Sequence, residues 1–348
     1  MQPANRKRSP ALTTIVRLVV RPEYSSLLIL VVMVAVAAFL QRNFFRGPSL
    51  LLTIDAFGPL ILLTMGQAVV IVTGLFDLSC GTALSLYTCI LTLIMRTNQP
   101  ASGVLAIVIT FAAAVVVGIV NGFGAGYLRV SPVVVTFATS FLWLGIALFL
   151  RPTPGGQSVG WFNAFYDFHN VAGMPPFVQS ISSFLPPVLI LILLGCLFWY
   201  LLSRGRTGRY LYAVGGNEES AYRSGISTAR MQINAYVINS VFVFLAALFF
   251  VGQNQSGDAR FGDPFTLRTI AAAVVGGIAL TGGRGSIYFA IVGALIIELV
   301  NKIIFFANIP YAYGTLVAGA IVIIAIGGSQ LYSNYSKRAL TKERGAPR

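Results

Sequence analysis

The feature that most constrains this fold is a series of apolar runs that recurs from residue 26 to residue 328. They fall at approximately 26–40, 50–73, 82–95, 104–127, 132–150, 186–203, 232–252, 269–281, 286–305 and 310–328. Bilayer hydrocarbon is ~30 Å thick and is crossed by ~20 apolar residues in a helix. Within it, only helices and closed barrels satisfy their own backbone polar groups. The expectation is an all-α polytopic membrane protein of about ten transmembrane helices, with a transmembrane domain over 26–328 between tails at 1–25 and 329–348. Composition agrees, because 10% of residues are charged against roughly 25% in a soluble domain.

The net charge of +14 raises the question of nucleic acid, and its distribution argues against it. Basic residues collect in three short blocks: Arg6, Lys7, Arg8, Arg17 and Arg21; Arg204, Arg206, Arg209, Arg223 and Arg230; Lys337, Arg338, Lys342, Arg344 and Arg348. All three flank membrane segments, as the positive-inside rule describes. With ten segments, one topology puts all three blocks in the cytoplasm, and with them both termini. No cleavable signal peptide is expected, since no A-x-A site follows the first apolar run. Cys80, Cys89 and Cys196 read as small buried hydrophobes, His169 reads as a loop residue, and no metal site is expected.

Two apolar runs, 82–95 and 269–281, are too short to cross alone, and each abuts a glycine-rich stretch. Aligning TGLFDLSCG (73–81) with VGGIALTGG (275–283) at an offset of 202 pairs Gly74 with Gly276, Leu78 with Leu280, Ser79 with Thr281 and Gly81 with Gly283. Interrupted segments at matching places in two halves point to a transport pathway. Gly74, Asp77, Ser79, Gly81, Asn121, Gly276, Gly277 and Thr281 are therefore the pathway or gating candidates. Gly118, Gly122 and Gly126 recur every four residues and form a small-residue face for close helix packing.

Asp77 has two readings. It caps the broken helix together with Ser79, the favoured one, or it lines the pathway. Gln67, Asn121, Asn234 and Asn239 at similar depth are explained by interhelical hydrogen bonds. Glu298 and Lys302, four apart in the favourable order, are expected to pair. The loop 151–185 is expected to lie on the membrane surface or to dock a partner outside the cell.

No phosphate-binding GxxxxGK[ST] and no paired-carboxylate pattern occurs, so the chain is not expected to hydrolyse nucleotide. Within the loop 204–230, Asn217 is an N-cap, Glu218 and Glu219 occupy the first turn, Arg223 the last, and Gly225 the C′ position. These signals specify a helix of about seven residues that packing must hold in place.

TGLFDLSCG (73–81), RTGRYLYAVGGNEESAYRSGI (206–226) and TIAAAVVGGIALTGGRGS (269–286), in this order, resemble the ribose-permease group of ABC importers from about residue 43 to the end. Leu75 departs from that pattern, which usually has a second glycine there. The resemblance implies a bacterial inner-membrane subunit that pairs with itself or a close homologue. Two cytoplasmic ATP-binding subunits would hold the ATP and Mg, and a periplasmic or lipid-anchored binding protein would deliver a monosaccharide or similar solute. It implies a coupling helix formed by Gly215, Gly216, Asn217, Glu218, Glu219, Ala221, Arg223, Ser224 and Gly225. Alternatives are nucleoside or branched-chain amino acid cargo, or an ion-coupled secondary transporter using Asp77.

Overall fold

The computed structural model describes residues 22–166 and 187–310, with five further positions between 313 and 320. Residues 1–21 of the N-terminal tail, the C-terminal tail, His169, most of the loop 151–185 and most of the tenth apolar run lie outside the described residues. The described chain forms twelve helices: α1 (Pro22–Leu40), α2 (Gly47–Val72), α3 (Cys80–Ile94), α4 (Pro100–Gly126), α5 (Pro132–Leu150), α6 (Gly160–Tyr166), α7 (Pro187–Arg204), α8 (Arg206–Gly216), α9 (Glu218–Arg223), α10 (Thr228–Asn254), α11 (Phe265–Val275) and α12 (Ile287–Phe306). Nine of them coincide with the first nine apolar runs, so the protein is an all-α, multi-pass membrane protein.

Five helices (α2, α4, α5, α10 and α12) are long and apolar enough to cross a bilayer alone. The pair α7–α8 makes one more candidate, bent by 78° at Gly205. α1, α3 and α11 are shorter apolar helices. Proline stands in the first turn of α2, α4 and α5, where its missing N–H is one that no intrahelical partner would use.

α10 is the central post and packs against α2, α3 and, most extensively, α4. The α4–α10 contact is close because glycine lines it. A Cβ on Gly118 would lie 2.6 Å from Val237 Cα, and one on Gly122 2.5 Å from Ile233 Cα; Gly126 meets Ala229. The pairings run antiparallel, so the end of α4 meets the start of α10. That end of the bundle also holds α8 and α9; the opposite end holds α6, whose Trp161 Nε1 donates to the Pro100 carbonyl at 3.0 Å. Val104, Val108 and Phe111 on α4, and Phe137, Phe141 and Phe149 on α5, remain exposed, an apolar belt suited to lipid.

Three expectations change. The loop 204–230 holds α8 as well as the short capped helix, because Leu211 and Val214 bury one face of α8. The repeat has a different register, described below. Glu298 and Lys302 do not pair. The Lys302 ammonium donates to Thr53 Oγ1 and sits 5.7 to 5.9 Å from the rings of Phe44, Phe57 and Phe306. Glu298 lies within electrostatic reach of Arg268 of α11 and close to Asn301. Partners on neighbouring helices outcompete a same-helix pair worth only ~0.2–0.5 kcal/mol.

Candidate functional site

The site is built from two helix breaks and the consecutive helices α8 and α9. α2 ends in a Schellman motif: Leu75 N–H donates to Val70 O at 3.1 Å and Gly74 N–H to Ile71 O at 2.8 Å. Gly74 is the C′ residue at φ +83°, a conformation glycine reaches without a Cβ penalty. Leu75 packs with Val70, the apolar contact that accompanies the motif. α11 ends the same way, with Ile278 N–H on Ala273 O at 3.1 Å and Gly277 N–H on Val274 O at 2.9 Å. Gly277 has φ +89°.

The structural partner of Gly74 is thus Gly277, an offset of 203 rather than 202. The next helices begin after Ser79 and Ser286, so Ser79 corresponds to Ser286 and not to Thr281. The second break is the longer of the two.

The breaks are held differently. The first is stitched by buried side chains from three helices. Asp77 Oδ1 accepts from Ser79 N–H and Ser79 Oγ, both at 2.7 Å, and Oδ2 accepts from Asn239 Nδ2 of α10 at 2.8 Å. Ser79 Oγ accepts in turn from Asn121 Nδ2 at 2.8 Å, and Asn121 Oδ1 from Thr139 Oγ1 at 2.7 Å. The two remaining backbone groups find Thr136 Oγ1, which accepts from Leu78 N–H at 3.0 Å, and Tyr236 OH, which donates to Phe76 O at 2.8 Å. Asp77 thereby serves as an Asx-type acceptor for interrupted backbone. Ser79 sits at the N-cap position of α3 but makes no side-chain cap bond.

The second break carries no acid and is held by a backbone bond, Ala279 N–H to Arg284 O at 3.2 Å, and by one side chain, Tyr212 of α8, whose OH donates to Gly285 O at 2.9 Å.

The breaks meet. Gly283 N–H donates to Val72 O at 2.7 Å, joining the end of α2 to the second break. The end of α8 fills the same place: a Cβ on Gly215 would run into the Val72 carbonyl oxygen, one on Gly282 would lie 2.8 Å from Gly74 Cα, and one on Gly283 2.5 Å from Gly216 Cα. Gly74, Gly215, Gly216, Gly282 and Gly283 therefore form a joint of bare backbone.

From this joint projects α9. Asn217 Oδ1 accepts from Ser220 N–H at 2.8 Å, Arg223 pairs with Glu219 at 2.5 Å, and Gly225 closes the helix at φ +83°. Ile226 N–H returns to Ala221 O at 3.1 Å. Glu218 accepts from Gln232 of α10 at 3.0 Å. Ala221 is buried, whereas Glu218, Glu219, Tyr222, Arg223 and Ser224 are exposed. The helix is seated on α10 and presents charge and one aromatic ring outward.

Of the other candidates, Gly276 packs against Phe289, and Gly81 lies against Gly262 and Thr266. Thr281 is exposed beside the joint. Asp77, Ser79, Gly81 and Asn121 are buried within the chain and present no open surface. Reading the sequence alone misses α8, whose signal is the spacing of Gly208, Leu211 and Val214. It also misses the polar stretch DARFGD at 258–263, which looks like an ordinary loop. At the α6 end, a hollow of about 640 Å³ is lined by Thr92, Arg96, Arg151 and Gln157 among others.

The family described as "Branched-chain amino acid transport system / permease component" matches residues 49–326. The ribose import permease protein RbsC of Escherichia coli (strain K12) is 28% identical over 312 residues, covering 87% of this chain and 92% of that protein. The autoinducer 2 import system permease protein LsrC of Yersinia pseudotuberculosis serotype O:3 is 28% identical over 307 residues, covering 86% and 82%. LsrC of Yersinia pestis (strain Pestoides F) matches to the same extent. No solved structure matches the chain.

Proposed function

Since the chain belongs to the permease-component family of branched-chain amino acid transport systems, we propose that it is the membrane subunit of an ABC importer, carrying a monosaccharide or similar small polar solute into a bacterial cell. ATP is hydrolysed by two cytoplasmic partner subunits, a separate binding protein delivers the solute, and two permease chains, identical or homologous, enclose the path. α9 is the coupling helix and both termini are cytoplasmic.

The observation that carries this reading is the joint between α8 and the two breaks. A short, capped, charged knob leads directly into the backbone of both interrupted helices, as a subunit driven from outside its own chain requires. The sugar cargo rests on the names of RbsC and LsrC. The alternative, an ion-coupled transporter using Asp77, is disfavoured because three donors already occupy that carboxylate.

The test is uptake of labelled sugar by cells or proteoliposomes with and without the ATP-binding subunits. Uptake is expected only with them and with ATP. Uptake by this chain alone, collapsing with an uncoupler, would overturn the reading.

A further inference from the structure

We propose that the non-helical stretch 256–264 and the first turn of α11 form the wall of the solute pathway, with Arg260 and Asp263 the side chains that meet a hydroxyl-rich solute. The assignment rests on the transporter reading above and names the part of the chain that performs it.

The stretch descends alongside α3, step by step. Gly257 lies against Thr88 and Thr92. Gly262 N–H donates to Ser85 Oγ at 2.8 Å, Gly81 N–H to Thr266 Oγ1 at 3.2 Å, and Cys80 Sγ lies 3.6 Å from Thr269 Oγ1. Ser85 is nine residues from the last residue of α3, so Gly262 sits ~13 Å inside that end at 1.5 Å per residue. Measured from that end, this is nearly half of a ~30 Å hydrocarbon layer. Irregular backbone at this depth is tolerated only where protein buries it or where it borders water.

One edge meets the first condition, and the charges on the other point to the second. Gly257, Ala259 and Gly262 are buried against the bundle, while Arg260, Asp263 and Leu267 are exposed. Each charge would cost ~2.5–3.5 kcal/mol in lipid at mid-depth, which an aqueous path removes. Asp258 Oδ1 accepts from Arg260 N–H at 2.8 Å and fixes the local turn.

Phe261 of this stretch stacks on Phe250 of α10, and Phe265 of α11 lies tilted beside it. Phe250 and Phe261 have centroids 3.6 Å apart, and Phe261 and Phe265 5.2 Å; all three are half-buried. Rings that receive C–H faces, a guanidinium fork and a carboxylate acceptor are the groups that recognise neighbouring hydroxyls.

The test is thiol labelling of R260C, D263C and L267C, each in a C196S background, since Cys80 and Cys89 are buried. The assembled transporter is treated in its membrane with a charged methanethiosulfonate. V116C, on the exposed belt of α4, is the lipid-facing reference. The three sites are expected to react on the order of 10-fold faster than V116C, because only a hydrated thiol ionises, and labelling of D263C or L267C should block uptake. L267C alters only an exposed leucine, so it reports even where loss of a charge harms folding. Labelling no faster than V116C, or full labelling with uptake intact, would overturn the assignment. The labelling rate is independent of the energy source, so it stands whether or not ATP drives the transporter.

Discussion

Replacing Asp77 separates a structural acid from a transporting one. In D77A the Ser79 N–H and the Asn239 amide lose their acceptor inside the bundle, as does the Ser79 hydroxyl, which is free to rotate. Each buried donor left unpaired costs ~1–3 kcal/mol, so the change should destabilise by ~2–6 kcal/mol. In D77N the side-chain oxygen still accepts from Ser79 N–H. The new NH2 group meets Asn239, whose Oδ1 has no partner, so turning over the Asn239 amide restores a donor–acceptor pair. Only the charge-assisted share of the bonds is lost, ~1–2 kcal/mol.

The assay is the melting temperature of the purified full-length chain in detergent, alongside uptake by the assembled transporter. D77A should melt well below D77N, and D77N should keep substantial uptake. N239A should also be destabilising, and D77A combined with N239A should cost less than the sum of the two, by ~0.5–3 kcal/mol for residues in one network. Equal stability of D77A, D77N and the unaltered chain, with uptake lost in both variants, would refute the capping argument and point to a proton or cation site.

The other predictions concern the joint, the knob and the helix contact. G215V drives a side chain into the Val72 carbonyl; overpacking of ~1–3 kcal/mol should abolish uptake while the chain still accumulates in the membrane, read by surface labelling and flux. E218R reverses the charge at the start of α9 and breaks the bond to Gln232. G225P replaces a residue at φ +83° whose N–H is bonded to Tyr222 O. Both variants should lose uptake and co-purification with the ATP-binding subunits, yet insert normally. G122L should lower the melting temperature through its clash with Ile233, whereas G145L, where a Cβ would meet nothing within 4 Å, should not; equal effects would refute the close-packing account of α4 and α10.

What the sequence revealed was local. The α9 helix could be read residue by residue because Asn217, the two glutamates, Arg223 and Gly225 act within one short stretch. The paired breaks were visible as short apolar runs beside glycine. Their register was not, because Gly276 and Gly277 are adjacent and only the backbone conformation shows which one is C′. Asp77 gave no hint of Asn239, 162 residues away, and Lys302 chose Thr53 and three rings over a neighbour at helical spacing. The stretch 258–263 was hidden for a related reason: it has a loop-like composition, and its place beside α3 follows only from Ser85 and Gly81, which belong to another part of the chain.

The joint of five glycines has a consequence for how this chain can change. Its members come from three distant segments, and a Cβ on Gly215, Gly282 or Gly283 would meet the main chain of another. A side chain added at Gly215 or Gly282 finds no neighbouring side chain that could shrink to receive it, so a compensating second substitution is not available. Such positions cannot drift in pairs, as residues of an ordinary packed core do. Variation must instead enter through positions that the main chain leaves open, such as the exposed faces of α9 and of 258–267.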